Sequence, residues 1–255
     1  MADDDPAVTG MKKRIAAARG GLALLLLAFL CTALAGTFEV NPIRVDLSAS
    51  GRTSALTVRN SGKEQVVVQI SVMAWSQEQG RDLLNTTEDI LISPPIATIP
   101  PDREQVIRIG LRRAPDAKKE LSYRLFVQEV PPPPAPGFQG LQVALRIGLP
   151  VFVQPREGPA RALLNWDAQL RGTDVVNLKL QNNGTGHIQV SEIELAMPPE
   201  ADPLAAHSSL VYVLPGQSHE WDLKLRHNRV KKTDRVQLKV STDAGVVNTQ
   251  IDLGP

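Results

Sequence analysis

Apolar residues recur at every second position through most of this chain, the spacing that places them on one face of a β-strand. The longest such row is Leu141, Val143, Leu145, Ile147 and Leu149, set against Gln142, Ala144, Arg146, Gly148 and Pro150. The pattern predicts a strand within Leu141 to Pro155. The row is longer than the five or six residues that a core strand in a small sandwich needs. Pro150 cannot donate to a ladder, so the strand is expected at or near a sheet edge. A long apolar edge normally invites unwanted pairing, which leaves two readings. Either the fold covers it, or offering it to another chain is what it is for.

Shorter pieces repeat the alternation. Phe38 to Leu47 reads as a strand interrupted by Pro42, which suits an edge or a switch between sheets. Ser54 to Val58 follows, then an Asn-Ser-Gly-Lys turn at positions 60–63. Val66, Val68, Ile70 and Val72 alternate with Val67, Gln69 and Ser71, and Trp75 beyond them is expected to anchor the core. Gln105 to Leu111 and Leu121 to Val130 complete the first series, which closes on four prolines at 131–134. That proline run is a loop, since it can supply no ladder hydrogen bonds. After a Pro- and Gly-containing stretch at 154–159, strands resume at Ala162, Asn177, Ile188, Leu210, Trp221, Val236 and Val246. Short strands about ten residues apart, with turn signals between, predict an all-β chain of two antiparallel immunoglobulin-like sandwiches. The predicted boundaries are 37–153 for the first domain, 154–159 for a hinge and 160–255 for the second.

The N-terminus departs from this pattern. Met11-Lys12-Lys13-Arg14 opens a basic segment, an uncharged apolar run follows from Gly21, and Ala33-Leu34-Ala35 closes it. Basic segment, short apolar run and small-residue site read as a signal peptide over residues 1–36, with translation starting at Met11. The alternative is an uncleaved membrane anchor, for which the run is short. The chain's one cysteine, Cys31, leaves with the leader, so the mature chain holds neither disulfide nor thiolate metal site. Of 28 basic and 27 acidic residues the leader holds four and three, which leaves a mature charge near zero and no footprint for nucleic acid.

Catalytic chemistry is not written in this sequence. His187, His207, His219 and His227 are the only histidines and have no metal-ligand spacing. They read as solvated or turn residues. No nucleophile elbow, phosphate loop or dinucleotide turn occurs, and Asp89, Asp102, Glu104 and Glu120 form no acid–base pair. The expectation is a protein that is not an enzyme, with no cofactor, metal or small-molecule substrate.

Six stretches carry a resemblance: VNPIRVDL from Val40, IPPDREQVIRI from Ile99, ELSYRLFVQEVPP from Glu120, LQVALRIGLPVFVQP from Leu141, LKLQNNGTGHIQV from Leu178 and VLPGQSHEW from Val213. Together they resemble the periplasmic pilus-assembly chaperones of the chaperone–usher pathway, the PapD-like proteins. The resemblance implies two immunoglobulin-like domains set as a boomerang. It implies that pilin or fimbrial subunits, which are immunoglobulin-like folds lacking a strand, are completed by a strand lent from the chaperone and passed to an outer-membrane usher. That mode of strand addition is general. By the same resemblance Leu141, Val143, Leu145 and Ile147 match the donor row. Arg44 matches the arginine that holds the subunit's C-terminal carboxylate, and Glu120 matches an acidic residue at the domain interface. Two positions depart from the family. Its lysine falls on Pro150 and its hinge arginine on Gln154, which suggests the divergent branch that assembles archaic or spore-coat-like pili. Arg124 is then the candidate second cation, ahead of Arg108. The exposed row also favours self-association of the free protein. The other reading of the residues is a secreted two-domain binding or adhesion module without chaperone activity.

Overall fold

The computed structural model describes residues 38–134, 136–137, 139–197, 202–227, 230–231 and 234–254. The signal peptide and the start at Met11 that the sequence predicts lie outside the described residues. Among the described residues every regular element is a β-strand.

The first sandwich contains β1 (Phe38–Asn41), β2 (Val45–Leu47), β3 (Thr53–Asn60), β4 (Val66–Glu78), β5 (Arg81–Thr86), β6 (Ile90–Ser93), β7 (Ile96–Ile99), β8 (Glu104–Leu111), β9 (Leu121–Glu129) and β10 (Arg146–Val153). One sheet runs β1-β3-β8-β6. The other runs β2-β10-β9-β4-β5, with β7 also on β4. The chain passes from the first sheet to the second at Pro42, between β1 and β2, which is one of the two readings that the broken alternation leaves open. Leu56, Val58, Ile107 and Ile109 from one sheet meet Val68, Ile70, Leu125, Val127, Leu149 and Val151 from the other. Each contributes roughly 1.5–3 kcal/mol on full burial.

The second sandwich contains β11 (Leu164–Arg171), β12 (Val175–Asn182), β13 (Ile188–Ala196), β14 (Ala205–Val213), β15 (Ser218–Lys224), β16 (Arg235–Thr242) and β17 (Gly245–Gly254). The order is β14-β13-β16-β17-β11-β12-β15. β17 joins the two layers, pairing antiparallel with β16 and then parallel with β11 at Leu253 and Gly254. Leu178, Leu180, Ile193, Leu195, Leu238 and Val240 fill the space between. The loop before β13 sits so close to the incoming linker that a β-carbon at Gly184 would strike the backbone of Arg161 and Leu163. A glycine is required there for the close approach of two backbones.

One strand is shorter than its pattern. β10 begins at Arg146, and Leu141 to Leu145 lie outside it. The reason is the partner strand. β9 ends at Glu129, whose N–H donates to the Leu145 carbonyl (2.8 Å), and Val130 turns away to donate to Val67 (2.8 Å). The prolines at 131–134 come next and carry no N–H, so the ladder has nothing left to continue on.

Trp75 also differs from expectation. It is buried, but in a separate cluster with Phe152 and Leu214 against which Tyr212 packs, not in either sandwich core. The alternation along β4 explains this. Val66, Val68 and Ile70 face the core, so Trp75, at odd parity, points out of the other face of the sheet.

Candidate functional site

The outward face of β9 and β10, together with the backbone edge of β10, forms the candidate site. The edge comes first. β10 pairs with β9 along its whole length, but with β2 only at Val151, Phe152 and Val153. Residues 146–150 therefore have one neighbour. The Leu145 carbonyl points to β9, while the Gln154 N–H points to the Leu47 carbonyl of β2 (2.8 Å). Along a strand the hydrogen-bonding groups of successive residues point to opposite edges. Arg146, Gly148 and Pro150 thus turn their groups toward the open edge. It offers the N–H and carbonyl groups of Arg146 and Gly148, while the Pro150 carbonyl is turned toward β2 at the start of that pairing. Pro150 lies where its missing N–H breaks no bond to β9, which is how a proline is accommodated.

The side chains of β10 divide by parity. Leu149, Val151 and Val153 are in the core, and Leu145 and Ile147 pack partly against it. Leu145 and Ile147, expected as freely offered donor residues, are thus half used by the protein's own sandwich. The reason is that their row is continuous with Leu149 and Val151 and points the same way. Leu141 and Val143, beyond the end of the ladder, are 87% and 64% exposed.

The opposite row faces a band of cations and rings. Phe126 lies against Gly148, where a β-carbon would come within 3.1 Å of the ring. The Arg146 guanidinium carbon is 3.9 Å from the centroid of the same ring. Arg124, directly across from Pro150, stacks on Trp75 at 3.9 Å and lies 5.3 Å from the Tyr212 ring. Stacking of this kind contributes up to about 2 kcal/mol when the cation is desolvated. The nearest carboxylate to Arg124 is Asp82, at 3.9 Å. Burial pushes the Arg124 pKa down, only partly offset by Asp82.

Arg44 stands in contrast. It lies just ahead of β2, its Nε donating to both Asp46 oxygens (3.2 and 3.0 Å) and its Nη1 to Asp243 (3.2 Å). Burial works against its charge, but Asp46 and then Asp243 outweigh it and raise the pKa. Arg44 is thus a compensated cation and Arg124 an under-compensated one. Arg108 is on β8, in the other sheet of the first sandwich, where it lines a groove with Leu91 and Val106.

Glu120 lies between the two sandwiches and is 4% exposed. Its N–H donates to Thr185 of the second sandwich (2.9 Å), and its Oε1 accepts from the His187 backbone N–H (3.2 Å) and contacts His187 Nδ1 (2.7 Å). Gln154, where the resemblance leads one to expect an arginine, donates to Glu120 Oε2 at 3.4 Å. Gln77 on β4 adds a second cross-link, donating to the Tyr212 carbonyl (2.8 Å) and accepting from the Leu214 N–H (3.0 Å).

His187 reads in the sequence as a solvated turn residue, but its side chain is only 7% exposed. Its ring stacks on Phe152 at 3.5 Å and 7°, and its Nε2 lies 3.4 Å from Asp243 Oδ2. Arg44, Glu120, Gln154, His187 and Asp243 share one cavity of about 580 Å³. Sequence reading misses His187 and Asp243: His187 falls within the LKLQNNGTGHIQV stretch but in no ligand spacing, Asp243 is in none of the six stretches, and both lie far from Glu120 along the chain. Phe152 carried a usable signal: it is an aromatic on the otherwise small or polar row of its strand. No cluster of three or more metal-ligating side chains occurs among the described residues.

Comparison with known proteins adds to this geometry. Residues 37–159 match the family described as pili and flagellar-assembly chaperone, PapD N-terminal domain. The chain is similar to the chaperone protein FimB/FhaD of Bordetella pertussis, 27% identical over 152 residues, which is 57% of this chain and 61% of that protein. Among solved structures it is similar to a chain of the CsuC–CsuE chaperone–tip adhesion subunit complex from the archaic chaperone–usher Csu pili of Acinetobacter baumannii. The TM-score is 0.63 at 21% identity, covering 86% of this chain and all of that one. A chain of the Salmonella enterica SafA pilin–SafB chaperone complex matches with a TM-score of 0.58 at 18% identity, covering 84% and 96%. These likenesses establish the fold of both sandwiches. The likeness to the pili and flagellar-assembly chaperones of the PapD type thus lies in the first sandwich, over residues 37–159.

Proposed function

We propose that this protein is a non-enzymatic periplasmic chaperone that captures pilin-type subunits, completes their fold by lending a strand and delivers them to an outer-membrane usher. The observation that carries the reading is the open edge of Arg146–Pro150, continued by the exposed Leu141 and Val143. A subunit lacking its last strand has a groove with unpaired backbone groups on both walls. The edge supplies partners for that backbone whatever the subunit's sequence, and alternate apolar side chains fill the groove. Leu141 and Val143 enter it fully, while Leu145 and Ile147 bridge it to the chaperone's own core. The basic and apolar leader directs the chain to the periplasm. Pro150 and Gln154, with the likeness to an archaic-pilus chaperone complex, support the divergent branch.

The cations divide the work of holding the subunit's terminal carboxylate. Arg124 is the main anchor, because its guanidinium is stacked and oriented on Trp75 and lacks a close counter-ion. Arg44 is secondary, because Asp46 and Asp243 already occupy it.

The test is periplasmic co-expression with a pilin-type subunit encoded beside this gene, followed by co-purification. A one-to-one complex is expected. Arg124→Ala is expected to weaken it by about 2–5 kcal/mol, the range for removing one member of a buried charged pair. Arg44→Ala is expected to weaken it less. Failure of the folded wild-type protein to bind any such subunit would leave the adhesion-module reading in its place. Binding unaffected by Arg124→Ala would remove Arg124 from the anchor.

A further inference from the structure

The buried histidine at the junction of the sandwiches has a job that strand lending does not use. His187 Nδ1 is 2.7 Å from Glu120 of the first sandwich, and Nε2, buried and without a hydrogen bond of its own, is 3.4 Å from Asp243 of the second. A neutral imidazole carries one N–H and can serve one of these carboxylates. Its other nitrogen would then turn a lone pair toward the second. Only the imidazolium turns an N–H toward both carboxylates. The ring cannot turn away, because it is stacked on Phe152 and lies 5.8 Å from the Tyr212 ring.

We propose that His187 is a titratable latch: the proton it holds between Glu120 and Asp243 couples the two sandwiches, and losing that proton at raised pH loosens this end of the junction. The groups that face it are Glu120 ahead of β9, Tyr212 on β14, and Asp243 in the turn between β16 and β17. Beyond them are Arg44 and Asp46, reached through Asp243, and Arg161, which lines the same cavity. Without the His187 proton, Arg44 is the cation in contact with Asp243 and Asp46, and Glu120 has lost its own.

The sign follows from the surroundings. Burial opposes the charge, but the attraction of Asp243 and Glu120 prevails, and the His187 pKa is raised from its ordinary value. Its contribution is therefore full below the unfolded-state pKa and is lost as pH rises through the folded one. A hinge arginine would stay charged throughout, so the latch is a consequence of finding glutamine at position 154 and histidine at 187.

Two measurements on the full chain test this. In NMR titration of the imidazole rings, assigned with His187→Gln, His187 is expected to stay protonated to higher pH than His219, whose pKa burial lowers. In amide exchange corrected for intrinsic rates, protection of Glu120 and His187 is expected to fall several-fold from mildly acidic to mildly alkaline pH. Leu125 and Leu178, in the two cores, should hold theirs. In His187→Gln the protection at Glu120 should become pH-independent. If that variant does not fold, the wild-type titration and exchange decide alone. A His187 ring that titrates with or below His219, or junction amides whose protection does not change with pH, would overturn the latch.

Discussion

Val143→Asp is expected to abolish subunit capture while leaving the free protein as stable as the wild type. The two halves of this expectation have separate grounds. Val143 is 64% exposed and outside every strand, so the free chain loses no packing. Surface changes of that kind fall within about ±0.5 kcal/mol. In the complex the same side chain enters a subunit groove. Valine burial contributes roughly 1.5–3 kcal/mol, and aspartate would bring an unpaired charge into an apolar site at a further cost of several kcal/mol. At about 1.4 kcal/mol per tenfold, affinity falls at least about a hundredfold. Gln142→Asp, on the opposite row, is the control and should change capture little. Binding measured by titration, with urea unfolding alongside, separates the outcomes. Equal loss in both variants would point to general charge repulsion instead of a donated row.

Phe152→Ala is expected to give the largest loss of coupling between the sandwiches. Phe152 is fully buried, yet it belongs to neither core. It lies against His187 (3.5 Å), Tyr212 (5.8 Å) and Trp75 (6.1 Å), so it joins both cation sites to the junction. Buried Phe→Ala changes cost about 3–5 kcal/mol. Here the cost falls on the junction, since Leu149, Val151 and Val153 still hold β10 in its sandwich. The expected signs are a red shift of Trp75 fluorescence, loss of protection at the Glu120 and Leu214 amides, and retained core protection at Leu125 and Leu178. A uniform loss across the first sandwich would mean that Phe152 acts as an ordinary core residue.

Much of this fold was legible because its strands are two-sided. Alternation placed Val66–Val72, Gln105–Leu111 and Ile188–Leu195 in strands, and the Pro42 interruption marked a real change of sheet. The alternation of the Leu141 row overran its strand, because hydrophobic period reports which residues want cover and not where a hydrogen-bonding partner ends. The missing information lay at the prolines of 131–134, which stop β9. Trp75 was misplaced for a readable reason: its parity opposes that of Val66, Val68 and Ile70.

The site was legible in part. Arg44, Arg124 and Glu120 are brought to the region between the sandwiches, and Leu141 and Val143 are exposed beyond the open edge. What the sequence hid is the difference in state between the two arginines. It depends on Asp243, far along the chain, and on the rings beneath Arg124. His187 was hidden for the same reason, since a lone histidine after a glycine turn has no local pattern to mark it.

The most direct measurement of the central claim is residue-resolved amide exchange along β10, with and without a bound pilin-type subunit. In the free protein the N–H groups of Ile147 and Leu149 face β9 and should be protected, while those of Arg146 and Gly148 face the open edge and should exchange readily. The account predicts that subunit binding protects Arg146 and Gly148, extends protection back through Val143, and leaves Ile147 and Leu149 as they were. A stable complex in which Arg146 and Gly148 exchange as fast as in the free chain would contradict it, and would place the partner somewhere other than on this strand.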